Sequence, residues 1–209
     1  MNILILNEEF LSDTHGYLIT DIASKLASDG HKIHFYAAKS KYSFNDTSHN
    51  EYFTIDNQSI KLKRFWVFRS LSNLKIIKIS NSILYCIQCL IRGLFLRKID
   101  IIICASSHIL FLGNVALILS KVLRAKFIYR VEDIHPHHYD FNLKNFFGRL
   151  AFRIFNNLEK LNYHNANIIQ VISRDMKETI EERSDKDIKV RVIPNIPRGL
   201  IKKEINYSD

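Results

Sequence analysis

Short apolar runs take turns with longer segments of helical period along this chain, and that alternation restricts the fold more than any other feature. Asn2–Asn7 (NILILN), Lys32–Ala37, Ile60–Phe68, Asp100–Cys104 (DIIIC), Lys126–Val131 (KFIYRV), Asn167–Ile172 and Lys189–Ile193 each have the length and apolar content of a buried strand. Between them, Leu18, Ile19, Ile22, Ala23 and Leu26 recur at helical spacing, as do the apolar residues of 146–161; 72–98 is a long helical stretch, and 108–123, apolar nearly all round, reads as a buried helix. Asp29-Gly30 closes the first helix, Ser173 caps a helix over Arg174–Glu182, and Pro194 stops the last strand. The polar stretch Lys39–Ser59 reads as a loop with room for one edge strand. Six or seven strands alternating with helices predict an α/β fold, a doubly wound and mostly parallel sheet with helices on both faces. Ligands of such folds sit beyond the carboxyl ends of the strands. Here that rim comprises 8–16, 105–108, 132–140 and Ser173.

Charge is distributed unevenly. The formal net charge is +9, and 57–99 carries nine cations (Lys61, Lys63, Arg64, Arg69, Lys75, Lys78, Arg92, Arg97, Lys98) without one carboxylate, so the remainder is neutral. A basic segment of this kind suits a polyanionic partner. Trp66, between Phe65 and Phe68 and among Lys63, Arg64 and Arg69, mixes rings with cations. That mixture fits a membrane interface or single-stranded nucleic acid, or else a solvated basic edge. Within the helical stretch 72–98 the longest uncharged run, Ile79–Ile91, has 13 residues, short of the roughly 20 that a bilayer span needs.

Three cysteines exclude a disulfide framework, and the amino terminus lacks the pattern of a secretion signal. A cytoplasmic chain with reduced thiols is expected. Cys86-x-x-Cys89 falls inside an apolar helix and reads as core. His135, His137 and His138 have no acidic or cysteine partners at ligand spacing, so no metal is expected.

Five segments, in order and spacing, carry a resemblance: MNILILN with HGYLITDIASKLASDGHKI; DIIICASSHILFLGNVALILSKVLRAKFIYRVEDIHP; LEKLNYHNANIIQVIS; SRDM; and VRVIPN. Together they resemble the amino-terminal domain of glycosyltransferase family 4, a Rossmann-like half of the two-lobed GT-B architecture. VEDIHP is most similar to the "V-R-D-x-W-P" pattern of amino-sugar transferases of colanic acid and O-antigen synthesis. The resemblance implies an acceptor-binding domain over 1–197 and a tail, 198–209, at the position of the interdomain linker, with the nucleotide-binding domain absent. It further implies transfer from a nucleotide diphosphate sugar, as co-substrate, to a lipid-linked saccharide with retention of configuration and without a metal. Cell-surface polysaccharide or lipopolysaccharide assembly is the implied setting. The family places paired glycines in the first loop; here Gly16 stands alone after Thr14 and His15.

On that resemblance Asp133 and His135 are the catalytic candidates, Asp133 as the group that orients an acceptor hydroxyl or takes its proton. A loop carboxylate bonded to Arg130 is the plainer account of Asp133. His15, Gly16, Ser106, Ser107, Ser173 and Asn195 are candidates for donor and acceptor binding, although serines also cap helices. Lys63, Arg64, Trp66, Arg69, Lys75, Lys78 and Arg92 are candidates for an anionic membrane surface, placing the chain peripherally on the inner face of the plasma membrane. A separate carboxyl-terminal GT-B chain is the expected protein partner. A non-catalytic membrane-associated scaffold, or an inactive remnant, is the alternative. A nucleic-acid partner is not expected, since no recognition helix, RNA motif or zinc site is present.

Overall fold

The computed structural model describes residues 1–8, 14–38, 50–55, 58–67, 75–106, 111–134, 144–184 and 187–195, with the backbone alone for 14–17, 50–55, 58–59 and 75–78. In chain order the elements are β1 (Asn2–Leu6), α1 (Thr14–Ser28), β2 (Lys32–Ala38), β3 (Asn50–Ile55), β4 (Gln58–Phe65), α2 (Lys75–Leu94) and β5 (Ile101–Ser106). They continue with α3 (Leu112–Leu123), β6 (Lys126–Val131), α4 (Phe146–Asn165), β7 (Ile168–Val171), α5 (Arg174–Arg183) and β8 (Val190–Val192). The strands form one sheet of order β3-β4-β2-β1-β5-β6-β7-β8. All described neighbours pair in parallel except β3, which runs antiparallel to β4. The expected doubly wound α/β fold is present.

Side-chain alternation along the strands builds two cores. Ile3, Ile5, Ile33, Phe35, Ile60 and Leu62 face Ile19, Ala23 and Ala27 of α1 on one side. Leu4, Leu6, Ile102, Cys104, Phe127, Tyr129, Val131, Ile169 and Val171 face the other side, with Tyr85 of α2, Val115 and Leu119 of α3, Tyr163 of α4 and Ile180 of α5. Parallel strands buried on both faces must be apolar at nearly every position, which is why they read as continuous Ile/Leu/Val runs.

Local chemistry fixes the element ends. Gly30 adopts φ +83°, the left-handed conformation that lets the chain turn after α1. Ser173 Oγ accepts from Met176 N at 3.2 Å and starts α5, as expected. Asn145 Oδ1 accepts from Gly148 N at 2.7 Å and starts α4. At Gly113 a Cβ would lie 2.6 Å from Asn162 Nδ2 and 3.0 Å from the Tyr129 ring, so glycine sets how closely α3 approaches α4 and β6.

The edge strand for which the polar stretch before β4 left room is present as β3, paired with β4. Two expectations are corrected. Helix α1 begins at Thr14, so His15 and Gly16 belong to its first turn and not to a loop that ends at Gly16. The helix expected over 72–98 ends at Leu94, four residues short, and is described from Lys75, residues 72–74 lying outside the described ones. The three cysteines are buried in the core, and burial pushes the Cys86 thiol up to about 12, which agrees with the structural reading of the Cys86/Cys89 pair.

Candidate functional site

Strand order brings the site candidates to one edge. The connections reverse direction at β1, which has β2 on one side and β5 on the other. The carboxyl ends of β1 and β5 therefore border a topological switch point, where open α/β sheets bind ligands. Asn7 and Glu8 leave β1, Ser106 ends β5, Glu132 and Asp133 leave β6, Ser173 follows β7, and Asn195 follows β8. Because β1, β5, β6, β7 and β8 are consecutive and parallel, all of these lie on one rim.

A polar chain runs along that rim. Ser106 Oγ accepts from the Glu132 backbone N–H at 3.1 Å and lies 3.4 Å from the Asp133 carbonyl, to which it donates. Arg130 Nε donates to Glu132 Oε1 at 3.0 Å, both side chains being buried, and Arg130 Nη2 donates to Asn195 Oδ1. The buried pair for Arg130 thus runs to Glu132, where the sequence suggested Asp133. A buried ion pair adds little net stability compared with apolar packing, yet breaking one side of it costs about 3–5 kcal/mol. Its effect here is positional: it ties the exit of β6 to the exit of β8 and leaves Asp133 half-buried at the rim.

Of the remaining candidates, Ser173 acts as a helix cap, and the backbones of His15 and Gly16 open α1. Ser107 and His135 lie outside the described residues, as do His137 and His138. Among the basic candidates, Lys63, Arg64, Trp66 and Arg92 converge on one cavity of about 410 Å³. Lys75 and Lys78 fall in the first turn of α2, and Arg69 lies outside the described residues.

Sequence reasoning missed Arg130 and Glu132 as a unit. Two residues apart at the end of a strand project to the same side, so an Arg-x-Glu at the close of an apolar run was the available signal. It also missed a buried polar cluster behind the rim. Tyr129 Oη of β6 donates to Glu159 of α4, lying 3.0 Å from both carboxylate oxygens. Asn162 Nδ2 donates to Glu159 Oε2 at 3.3 Å, and Asn114 Nδ2 of α3 donates to Asn162 Oδ1 at 3.0 Å. Burial raises the Glu159 carboxyl to about 7 against the lowering effect of these hydrogen bonds and of Arg183. At 5% exposure Glu159 holds α3, α4 and β6 together and is out of reach of a substrate.

Among the described residues, no group of three or more His, Cys, Asp or Glu could hold a metal ion. No described helix is long and apolar enough to cross a membrane.

The family described as Glycosyltransferase Family 4 matches residues 16–196. No curated protein matches. Among solved structures, sucrose-phosphate synthase from Thermosynechococcus elongatus matches with a TM-score of 0.66 and 11% identity, over 99% of this chain and 53% of that one. An E. coli structure described as trehalose-6-phosphate bound with UDP-2-fluoro glucose matches at TM-score 0.60 and 10% identity, over 100% and 52%. Anabaena HepE in complex with UDP-glucose matches at TM-score 0.55 and 16% identity, over 98% and 48%. The chain spans about half the length of each of these, and likeness at such identities speaks for the fold alone.

Proposed function

The chain belongs to glycosyltransferase family 4, and from that membership we propose that it is the acceptor-binding half of a retaining, nucleotide-sugar-dependent glycosyltransferase. The observation that carries the reading is the rim itself: Ser106, Asp133 and Asn195 stand at or just beyond the carboxyl ends of β5, β6 and β8, on one edge of the parallel sheet, and are linked through Arg130 and Glu132. The acceptor is a lipid-linked saccharide. In the transfer, the bond between the sugar's anomeric carbon and the nucleotide diphosphate oxygen breaks, and a bond from that carbon to the acceptor hydroxyl oxygen forms. Asp133 orients the hydroxyl and receives its proton, and the nucleoside diphosphate departs. Stabilising that diphosphate is the work of a second, nucleotide-binding half across the cleft, on a continuation of this chain or on a separate one. No metal takes part in this scheme.

The resemblance of Val131–Pro136 (VEDIHP) to the colanic acid and O-antigen transferases supports assembly of cell-surface polysaccharide or lipopolysaccharide as the setting. The carboxylate-free basic segment 57–99 supports peripheral attachment to an anionic membrane, where lipid-linked acceptors reside.

Binding measurements on this chain test the reading. It is expected to bind a polyprenyl-diphosphate saccharide at least about tenfold tighter than a nucleotide sugar. Preference for the nucleotide sugar would overturn the assignment of halves. Binding of neither, with the fold intact, would leave the non-catalytic scaffold.

A further inference from the structure

Between β6 and β8 lies β7, and Arg130 reaches across it. In register, Arg130 sits beside Gln170 of β7, and Gln170 beside Arg191 of β8. From there the guanidinium, 3% exposed, serves two elements at once: Nε donates to Glu132 Oε1 at 3.0 Å, and Nη2 donates to Asn195 Oδ1. Asn195 stands three residues past the end of β8. The ladder closes with a hydrogen bond from Ile193 N to the Val171 carbonyl at 2.8 Å, and Pro194 has no N–H to extend it. Among the described residues, the Asn195 side chain is what ties the departing chain to the sheet.

The same guanidinium holds the turn that carries Asp133. Glu132, bonded to Nε, gives its backbone N–H to Ser106 Oγ at 3.1 Å, and that hydroxyl donates to the Asp133 carbonyl at 3.4 Å. Asn195, Arg130, Glu132, Asp133 and Ser106 thus form one connected route from the exit of β8 to the end of β5. A planar fork fixes the spacing and the plane of its two acceptors, which a single ammonium on a flexible stem cannot do. Burial stiffens the link further. A charge held away from water cannot exchange one partner for solvent without cost, so a shift of Asn195 is either resisted or passed on to Glu132. Apolar packing between these strands would stabilise the fold equally well without fixing these directions.

We propose that Arg130 is a positioning residue for the transfer reaction: it joins the exit of β8 and the turn bearing Asp133 into one mechanical unit, so that the direction of the chain at Asn195 and the placement of Asp133 on the acceptor rim are set together. The inference rests on the acceptor-binding reading made above, and adds to it a route by which displacement of the chain after β8 reaches Asp133. Arg130 touches no substrate in this scheme and acts through Asn195 and Glu132. A contiguous route of bonds counts as coupling only when a change at one end is felt at the other.

Two measurements test the role. Amide hydrogen exchange on this chain, read by mass spectrometry, follows the link without any activity. Asn195→Ala removes the acceptor of Nη2 and leaves the Arg130–Glu132 pair in place. It should speed exchange of the Glu132 N–H, at the far end of the link, by about tenfold. Lys126→Gln, at the opposite end of β6, should leave that amide unchanged. In the assembled two-lobed enzyme, Asn195→Ala and Arg130→Lys should each lower kcat about tenfold, with the acceptor KM within about threefold of wild type. The double variant should be no worse than Arg130→Lys alone, because both changes break the same link. Asn195→Asp gives the guanidinium an oxygen again and should raise kcat at least about threefold over the alanine variant. Thermal unfolding followed by circular dichroism checks that each variant folds. Unchanged exchange at Glu132, additive losses in the double variant, or a raised KM with kcat kept would each overturn the positioning role. A wild-type enzyme that transfers no sugar would end the transferase reading and the role with it. Exchange at Glu132 reads the link apart from activity, so the two failures are distinguishable.

Discussion

Asp133→Asn is expected to lower glycosyl transfer by the assembled two-lobed enzyme about 10²- to 10⁴-fold, the range for a positioned general base, while leaving acceptor affinity within about threefold. Asparagine keeps the size of the side chain and loses its capacity to take a proton. Thermal unfolding of the variant, followed by circular dichroism, checks that the fold is kept, including the contact of Ser106 Oγ with the Asp133 backbone carbonyl. Steady-state kinetics on the variant decide the matter. Turnover within about tenfold of wild type would reduce Asp133 to a loop residue.

Glu159→Gln is expected to abolish a pH dependence of stability that the wild-type chain should show. In the unfolded chain this carboxyl titrates near 4.5, and in the folded chain burial raises it to about 7. Between those values the unfolded state has released the proton and the native state still holds it. Rising pH therefore favours unfolding across that window, by up to about 3 kcal/mol in total, and the loss is complete above it. Below the unfolded value both states are protonated and no difference remains. Glutamine mimics the protonated acid, keeps an acceptor for Tyr129 Oη, and cannot ionise. Urea unfolding at about pH 5 and about pH 8 should show the wild type weakening and the variant nearly flat. Parallel profiles for the two proteins would mean that Glu159 is not the group responsible.

Much of this fold is legible in the amino-acid sequence because parallel strands buried on both faces announce themselves. The run Lys126–Val131 coincides with β6, and Asn2–Asn7 and Asn167–Ile172 contain β1 and β7. Edge strand β3 was less visible, since its NEYFTI sequence is paired on one side only and its register is set by β4. The start of α1 was displaced because Thr14, His15 and Gly16 carry no apolar periodicity. At the rim, Ser106, Asp133 and Asn195 could be named as residues that follow strands, but the pairing of Arg130 with Glu132 and Asn195 depends on which strands are neighbours. Helix α2 shows the limit most plainly. Its Cys86/Cys89 pair reads as core, but the sequence does not say which of its other apolar residues are covered, and the packing of the sheet and α3 leaves the Ile79–Ile91 row largely exposed. Glu159 is a second case: one carboxylate in an amphipathic helix looks solvated until Tyr129 and Asn162 are found against it.

The central claim, that the carboxyl edge of the sheet receives the saccharide acceptor, is tested most directly by photo-crosslinking a lipid-linked saccharide carrying a diazirine on its sugar to this chain and mapping the adducts by mass spectrometry. Adducts are expected in the segments after β5, β6 and β7, around Ser106, Asp133 and Ser173. Adducts concentrated at the opposite edge, around Asn2, Asp100 and Asn167, would contradict it.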